Sequence, residues 1–492
     1  MLFSSMIFLW VFLPIVIIIN YLFNLIIKND TVRIRAKNIF LLVASLFFYA
    51  WGGIYFLCIM ISSIIINFFG GFAISRTDKK NVKKTILVVV IAINLLILGY
   101  FKYFNMIIVI IEQLMGSTTI KTFLKNILYM RGTGELHFEK VILPIGISFF
   151  TFQAMSYVID VYRGNAKPQN NILDFGLYVA LFPQLIAGPI VRYEDIAEQI
   201  NHRVENSIKF AKGIKKFCYG LGKKVILANT FAIVVDNIFA LELSEIGSAL
   251  AILVTISYAL QIYYDFSGYS DMAIGLGFMF GFEFKENFNY PYTSFSITEF
   301  WRRWHISLST WFKEYVYIPL GGNRKGIVHT CINLMIVFLL TGIWHGANFT
   351  FIIWGVVYGI IQIMEKLFLL KFLNWNKIKI INFIYTFVIS IVLFIVFRSD
   401  NIFDAITIFK QYFIMESRYN ILTYINMKYI IVLIFGILFM GLIQRPLYKV
   451  YDKIKKVTVV NVIDALIQLS ILAYAILSVV DGTYNPFIYF QF

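Results

Sequence analysis

Charged residues are scarce in this chain. Of its 492 residues only 14% are Asp, Glu, Lys or Arg, while 60% are hydrophobic, and the mean hydropathy is +0.77. A soluble domain carries about a quarter charged residues, so the deficit excludes an ordinary water-soluble protein. Uncharged runs long enough to cross a bilayer recur along the whole chain. The longest of them are 1–27, 38–75, 141–159, 246–264, 326–364 and 380–397.

These runs predict an all-α, polytopic integral membrane protein. Counting the long runs as two spans each, we expect roughly 11 to 13 membrane helices. Alternating ten-residue β segments are missing, which argues against a transmembrane barrel. No soluble domain, linker or internal repeat interrupts the pattern, so we interpret 1–492 as a single membrane domain with a central block at about 141–350.

Motifs for several other chemistries are also missing. The three cysteines stand at unrelated positions and form neither a metal-binding nor a disulfide pattern. No phosphate-binding glycine loop, nucleotide fold or serine-elbow motif is present, and no metal site is expected.

Acidic residues are outnumbered by basic ones, with 43 Lys and Arg against 27 Asp and Glu and a net charge of +16. In a membrane protein the positive-inside rule explains this excess better than nucleic-acid binding. The basic residues of 28–37 and 76–84 therefore place both segments in the cytoplasm, provided that 38–75 is a hairpin turning at 51–53. A third basic segment, 206–224, is interpreted either as a cytoplasmic loop on anionic lipid or as a patch that attracts a phosphorylated cofactor such as coenzyme A.

Five histidines occur, and two of them lie in apolar surroundings. His345 stands in TGIWHGANF, within the uncharged run 326–364, and His305 stands in FWRRWHISLSTWF. A buried imidazole is held neutral and can then accept a hydroxyl proton as a general base. Gly342 and Gly346 would allow another backbone or a slender substrate to approach His345, and Asn348 could donate to an oxyanion or orient the imidazole.

The segment 294–312 predicts one amphipathic helix. Ser296 and Glu299 have the spacing of a capping box. Apolar residues, with His305 among them, then recur at helical spacing, which is typical of an interfacial anchor. His305 is unusual on such a stripe, which favours a functional role instead.

Two aspartates, Asp265 and Asp271, interrupt apolar sequence in YYDFSGYSD, where we expect a Ser-Gly-Tyr-Ser turn. Carboxylates at membrane depth need partners or a water-filled cavity. Either they orient reaction partners, or they pair with Arg302 or Arg303.

Several stretches together resemble one family, the membrane-bound O-acyltransferases, and in particular its bacterial branch of alginate O-acetyltransferases. The resemblance covers most of the chain and is densest over 141–350. It is carried by LPIGISFFTFQAMSYVIDVYRG, FPQLIAGPIVR, YYDFSGYSDMAIGLG, NFNYPY, FWRRWHISLSTWF, YIPLGGNRKG and TGIWHGANF.

The resemblance implies a ring of helices, thinned at its centre and crossed by a tunnel that holds the histidines, with amphipathic helices at the interface. It implies that His345, in the WHG motif, is the catalytic residue and that His305 assists it. Residues near these motifs are then expected to contact substrate, namely Trp301, Arg302, Arg303, Trp344, Asn348, Asp265 and Asp271.

The resemblance further implies acyl transfer from a cytosolic thioester, acetyl-CoA, to hydroxyls of an extracellular polysaccharide. No cofactor is expected to be bound permanently. An extracytoplasmic partner protein would complete the transfer, and the chain would lie in the bacterial cytoplasmic membrane.

Alternatives remain open at this point. D-alanyl transfer to teichoic acid and O-acetylation of peptidoglycan use similar membrane proteins, and a polysaccharide exporter or flippase without acyl chemistry would also need polar residues at membrane depth. The sequence also leaves open whether 326–364 breaks at 346–348, although we expect His345 near the middle of the membrane. It does not assign the roles of the two histidines.

Overall fold

The structure is a computed structural model that describes residues 1–115, 141–370, 378–454 and 457–480. All regular elements within these ranges are helices, which confirms the predicted all-α fold. The first ten, α1 to α10, are Leu13–Ile26, Asp30–Ala50, Ile54–Ser75, Lys80–Met115, Ile147–Arg163, Ile172–Ala180, Phe182–Leu185, Tyr193–His202, Ser207–Gly222 and Asn229–Phe239. The next ten, α11 to α20, are Gly247–Met279, Ile297–Arg303, Ile306–Phe312, Ile327–His345, Phe349–Met364, Lys379–Arg398, Ile402–Gln411, Met427–Ile437, Gln444–Ile454 and Thr458–Val480.

Nine helical segments in the described ranges are long and apolar enough to cross a membrane. The 11 to 13 helices expected refer to the whole chain, whereas this count covers the described ranges, in which some uncharged runs do not fold into one long helix. The run 141–159, for example, becomes helical only at Ile147. The spans are Phe8–Ile26, Ile54–Ser75, Lys80–Ile111, Ser207–Phe239, Gly247–Met279, Ile327–His345, Phe349–Leu369, Lys379–Arg398 and Thr458–Ser478.

The predicted hairpin over 38–75, which joins the first two basic segments, is confirmed. Helix α2 ends at Ala50, Gly53 adopts a φ of 142°, and α3 begins at Ile54. A side chain is strained at this backbone angle, so glycine suits the turn. The segments 28–37 and 76–84 therefore lie at the two ends of one helical hairpin, on the same side.

The basic segment 206–224 is not a loop. It forms α9 and a following π-helical turn, Lys223–Ala228, which pack lengthwise against α11. The expected turn in YYDFSGYSD is also wrong, because residues 263–271 continue the helix α11 without a break. Both expectations failed for one reason: polar residues of the two helices face each other and pair inside the bundle.

Glycines allow α9 and α11 to approach closely. A Cβ atom added to Gly220 would lie 2.6 Å from the carbonyl oxygen of Gly268, and one added to Gly268 would lie 2.7 Å from the carbonyl oxygen of Gly220. Small residues at such crossings allow close backbone packing in membrane proteins.

We predict that Gly220→Ala destabilises the bundle, because its methyl group meets backbone atoms that cannot rotate away. Overpacking of this kind costs about 1–3 kcal/mol. Thermal unfolding in detergent would measure the change. Gly99→Ala is the matched control, since a Cβ at Gly99 meets no atom within 4 Å. A melting temperature of Gly220→Ala equal to that of the control would contradict the close crossing.

Candidate active site

The helix that carries His345 ends at this residue. Helix α14 stops at His345, Gly346 is extended, and Asn348 caps the start of α15, so the run 326–364 is broken at the position that the sequence left open. A Cβ on Gly342 would lie 2.4 Å from the carbonyl oxygen of Phe351. The prediction that another backbone approaches His345 at this glycine is thereby confirmed.

Aromatic rings surround the His345 imidazole. Its centroid lies 5.0 Å from Trp344, 5.3 Å from Trp354 and 5.0 Å from Phe397, with each pair close to perpendicular. The side chain is buried, and its Nδ1 has no hydrogen-bond partner among the described residues. The ring is thus held by packing, and its Nδ1 is buried without a partner among the described residues.

His345 lines a cavity of about 290 Å³. The polar groups that share the cavity come from two other helices, Lys102 of α4 and Ser148 at the start of α5. The rest of the wall is mainly apolar, with Ile142, Leu143 and Phe149 among its residues. A mostly apolar cavity with a few convergent polar groups is the usual form of a small-molecule site.

Lys102 is buried deep in the bundle. Its ammonium donates a hydrogen bond to the carbonyl oxygen of Trp344, lies 3.4 Å from the Ser148 hydroxyl and stands 5.6 Å from the centroid of the Trp344 ring. The neighbouring Tyr103 donates its hydroxyl proton to the carbonyl oxygen of Ile343. Two adjacent side chains of α4 therefore satisfy two of the last carbonyls of α14, which have no partner within their own helix.

His305 lies in a break between two short helices. The predicted continuous helix over 294–312 is wrong here: α12 ends at Arg303, and His305 adopts the left-handed conformation, with φ 45° and ψ 54°, before α13 begins. The predicted cap at Ser296 is confirmed, since its hydroxyl accepts from the Glu299 amide. The reciprocal bond of a capping box is displaced by one residue, because Glu299 accepts from the Phe295 amide instead of the Ser296 amide. The apolar face of this segment is buried, so it is not an interfacial anchor. Its buried residues include Trp301, Trp304, Leu308, Trp311 and Phe312.

A neighbouring asparagine orients the His305 ring. The Asn287 side-chain oxygen accepts from the backbone amide of Ser307 at 3.0 Å, and this contact identifies the atom as the oxygen, because a backbone N–H can only donate. The same oxygen lies 3.2 Å from His305 Nδ1. Nδ1 must therefore carry the proton, which leaves Nε2 with a free lone pair. Nε2 has no hydrogen-bond partner among the described residues.

The indole of Trp344 connects the two histidines, with its centroid 5.9 Å from His305 and 5.0 Å from His345. Phe149 adjoins both Trp344 and His305 and also lines the large cavity. His305 lies outside the nine candidate spans, and burial lowers the pKa of its imidazole to about 3. This histidine is therefore neutral at physiological pH.

A second, smaller cavity of about 40 Å³ lies beside Ile306 and Ser307, next to His305. Charged residues line it, among them Arg192, Asp195 and Lys285. The histidine pair is thus adjacent to one apolar cavity and one charged cavity.

The other residues that the sequence predicts for the site make different kinds of contact. Trp344 and Trp301 belong to the aromatic packing of the site, Trp301 through a ring contact of 5.5 Å with Trp354. The Asn348 amide donates to the Asp400 carbonyl oxygen and accepts from the Thr350 amide, and both bonds hold it at the start of α15.

The two aspartates pair with lysines, not with Arg302 or Arg303. Asp265 lies 2.6 Å from Lys224, and Asp271 lies 2.6 Å from Lys223. The predicted pairing of the two aspartates with Arg302 or Arg303 is therefore wrong. Helix α9 and the turn that follows it run alongside α11 and bring Lys223 and Lys224 to the carboxylates. Arg303 instead bonds Glu299 and the Thr293 hydroxyl, and Arg302 is exposed.

Several residues of the site were missed in the sequence, among them Lys102 and Asn287. Lys102 interrupts an otherwise uncharged run of a single membrane helix, and such a charge is itself a signal of a functional or paired group. Asn287 stands in the NFNYPY stretch, but its role depends on the 303–307 backbone and could not be inferred from local sequence.

Among the described residues no group of three or more His, Cys, Asp or Glu could hold a metal ion. The fold and the site thus define a polytopic membrane protein with two buried histidines beside a mainly apolar cavity.

Comparison with known proteins shows the family to which the chain belongs. Residues 165–403 match the model of the membrane-bound O-acyltransferase family. The chain is 39% identical, over the full length of both proteins, to a probable alginate O-acetylase of Pseudomonas putida. It is 34% identical to a peptidoglycan O-acetyltransferase of Helicobacter pylori, over 83% of this chain and 79% of that protein. It is 29% identical to a teichoic acid D-alanyltransferase of Bacillus subtilis, over 47% of this chain and 60% of that protein.

The chain therefore belongs to the membrane-bound O-acyltransferase family. It is an enzyme that transfers acyl groups to hydroxyls, which sets aside the exporter or flippase hypothesis.

The tautomer of His305 is directly measurable. In protein labelled with ¹⁵N-histidine we expect Nδ1 to be protonated and Nε2 unprotonated throughout pH 5 to 8, because Asn287 accepts from Nδ1 and burial keeps the ring neutral. Solid-state NMR would resolve the two nitrogens, and a His305→Ala sample would assign the signals. A protonated Nε2 would contradict the orienting role of Asn287.

Proposed function

We propose that this protein moves acetyl groups from acetyl-CoA to hydroxyls of a polysaccharide outside the bacterial cytoplasmic membrane. One observation carries the proposal: His345 lines a cavity large enough for a small acyl group, and its ring is fixed by the indole that also contacts the second buried histidine. The alginate O-acetylase and peptidoglycan O-acetyltransferase relatives, both similar over most of the chain, support acetyl as the acyl group and a polysaccharide as the acceptor.

His345 is the general base in this proposal. A nitrogen of its ring takes the proton of the acceptor hydroxyl, and the hydroxyl oxygen attacks the thioester carbonyl carbon. The carbonyl electron pair moves to oxygen and gives a tetrahedral intermediate. When the carbonyl reforms, the carbon–sulfur bond breaks, and the departing thiolate receives the proton from His345.

His305 assists His345 in this proposal. Its proton is fixed on Nδ1 by Asn287, so Nε2 offers an oriented acceptor that relays a proton or positions the acceptor hydroxyl. The indole of Trp344 holds this ring beside His345.

Helix lengths support an assignment of the two membrane faces. From Lys84 to Lys102 along α4, and from Ile327 to His345 along α14, the chain advances 18 residues in each case, about 27 Å at 1.5 Å per residue. This is close to the thickness of the hydrocarbon core, about 30 Å. With the basic ends in the cytoplasm, the cavity lies toward the extracytoplasmic face, nearer to that face than the mid-membrane position expected from the sequence.

The donor approaches from the opposite face. The charged cavity beside Ser307 adjoins His305 and is a suitable entrance for a thioester arm. The basic segment 206–224 is a poorer site for the phosphates than its composition suggests, because five of its six lysines pair with acidic residues: Lys209 with Glu283, Lys215 with Asp464, Lys216 with Asp271 and Glu286, Lys223 with Asp271, and Lys224 with Asp265. The sixth, Lys212, lies over the ring of Phe278. Arg302, which is exposed, remains a candidate for phosphate binding.

The same topology supports a proposal for the acceptor and the partner. A cavity toward the extracytoplasmic face favours delivery of the acetyl group to an extracytoplasmic partner protein that completes transfer to the polysaccharide. Peptidoglycan as acceptor is the second candidate, supported by the Helicobacter pylori relative. D-alanyl transfer is less well supported, since that similarity covers less than half of this chain.

We predict that His345→Ala abolishes acetylation of surface polysaccharide. Loss of a general base typically lowers the rate about 10²–10⁴-fold. The measurement is the O-acetyl content of polysaccharide, by mass spectrometry, from cells in which the variant replaces the wild-type gene. His329→Ala is the matched control, because His329 is exposed near the start of the same helix. Wild-type acetylation by a folded His345→Ala protein would exclude His345 as the base.

The proposed orientation predicts where introduced cysteines react. In a cysteine-free background, Ile142→Cys should be labelled by a membrane-impermeant maleimide in intact cells, because Ile142 is exposed at the rim of the cavity. Lys84→Cys should be labelled only after the cells are opened. The reverse pattern would place the cavity on the cytoplasmic side.

A further inference from the structure

The cavity beside His345 contains a lysine, Lys102, for which the proposed mechanism has so far given no role. Lys102 is 8% exposed and lies 22 residues into α4, within a segment apolar enough to cross the membrane. Burying an ammonium is costly unless it meets compensating groups. Its contacts in the described part of the chain are a backbone carbonyl, a hydroxyl and an aromatic face, with no carboxylate among them.

Helix capping alone explains only part of this arrangement. Tyr103 caps the adjacent carbonyl of α14 with a neutral hydroxyl, so the helix end does not require a cation. A lysine ammonium also has three N–H donors, and the two acceptors near it, the Trp344 carbonyl and the Ser148 hydroxyl, occupy two of them. One donor remains for a group in the cavity.

The cavity also needs a positive charge if chemistry takes place there. The C-terminal end of α14, where His345 lies, carries the negative end of the helix dipole, which disfavours a second negative charge nearby. The tetrahedral intermediate of acyl transfer places such a charge on the former carbonyl oxygen. An ammonium at this helix end offsets the dipole and attracts the oxyanion.

The start of a second helix also attracts negative charge in the cavity. Helix α5 begins at Ile147, and Gly146, Ile147 and Ser148 all line the cavity, so the positive end of that dipole also faces it. Gly146 has a φ of 76°, and a Cβ there would lie 2.5 Å from the carbonyl oxygen of Leu185, which explains why glycine occupies the start of this helix. Lys102, the α5 terminus and the side chain of His345 thus converge on one space.

Resting on the proposed function, we propose that Lys102 and the first turn of α5 form an anion-binding site that stabilises the oxyanion of the acyl-transfer intermediate. His345 takes the proton from the acceptor hydroxyl, the new carbon–oxygen bond forms, and the carbonyl electron pair settles on the oxygen that Lys102 binds. Collapse of the intermediate returns that pair to the carbonyl, breaks the carbon–sulfur bond and releases the thiolate, which receives the proton. Lys102 is thereby a catalytic residue of the reaction.

Three variants separate the charge of Lys102 from its capping bond. Lys102→Gln keeps an N–H donor of similar reach but removes the charge, whereas Lys102→Arg keeps the charge. Tyr103→Phe removes the neighbouring capping bond and leaves the cavity unchanged. Each purified variant is assayed for thiol release from acetyl-CoA in the presence of acceptor, for donor affinity and for melting temperature.

We expect Lys102→Gln to lower kcat about 10²–10³-fold, the usual loss for an oxyanion-binding donor. Donor affinity should change little, because the charge acts on the intermediate and not on the bound substrate. Lys102→Arg should recover part of the rate. Tyr103→Phe should stay within about fivefold of the wild-type rate but melt at a lower temperature, because the Ile343 carbonyl loses its partner. If Lys102→Gln keeps more than a third of the wild-type rate, or loses no more than Tyr103→Phe does, the residue only caps the helix and the proposal is wrong.

The same assay distinguishes this inference from the proposed function. If the wild type releases no thiol from acetyl-CoA but does so from another acyl thioester, the donor assignment fails, and the comparison of variants is made with that thioester. If wild type and Lys102 variants all turn over acetyl-CoA equally, the donor assignment stands and the role of Lys102 is refuted.

Discussion

The C-terminal end of α14 must be satisfied where water is scarce, and the rest of the site depends on how this is achieved. The last carbonyls of a helix have no partner within it, and in a membrane protein each unsatisfied group is expensive. Here α4 supplies the donors through Lys102 and Tyr103. The helix can therefore stop at His345, which places this side chain at a helix end beside a cavity instead of inside a continuous span.

The two histidines are held by different forces. His305 is oriented by hydrogen bonding, because Asn287 fixes its proton on Nδ1 and the left-handed backbone at this residue interrupts the helix. His345 is oriented by packing against perpendicular aromatic rings and the glycines of a close helix crossing. Trp344 contacts both rings and the lysine, so its indole joins the three groups on which the proposed chemistry depends.

Local sequence was sufficient where local physics decides the structure. The scarcity of charge predicted the membrane fold, Gly52 and Gly53 marked the hairpin turn, and Ser296 with Glu299 marked the helix start. The failures all concern contacts between distant segments. The pairing of Asp265 with Lys224 depends on α9 lying along α11, and the break at His305 depends on the 287–289 segment bonding to it. Lys102 could have been noticed as a lone charge within a span, but its approach to Trp344 joins residues 242 positions apart.

The account places acyl transfer in the cavity bounded by Lys102, Ser148 and His345. A cryo-electron microscopy structure with a non-hydrolysable acetyl-CoA analogue would test this most directly. We expect the carbonyl oxygen of the analogue within hydrogen-bond distance of Lys102, and the carbonyl carbon next to His345. An analogue whose acyl group lies in another part of the protein, away from both side chains, would contradict the account.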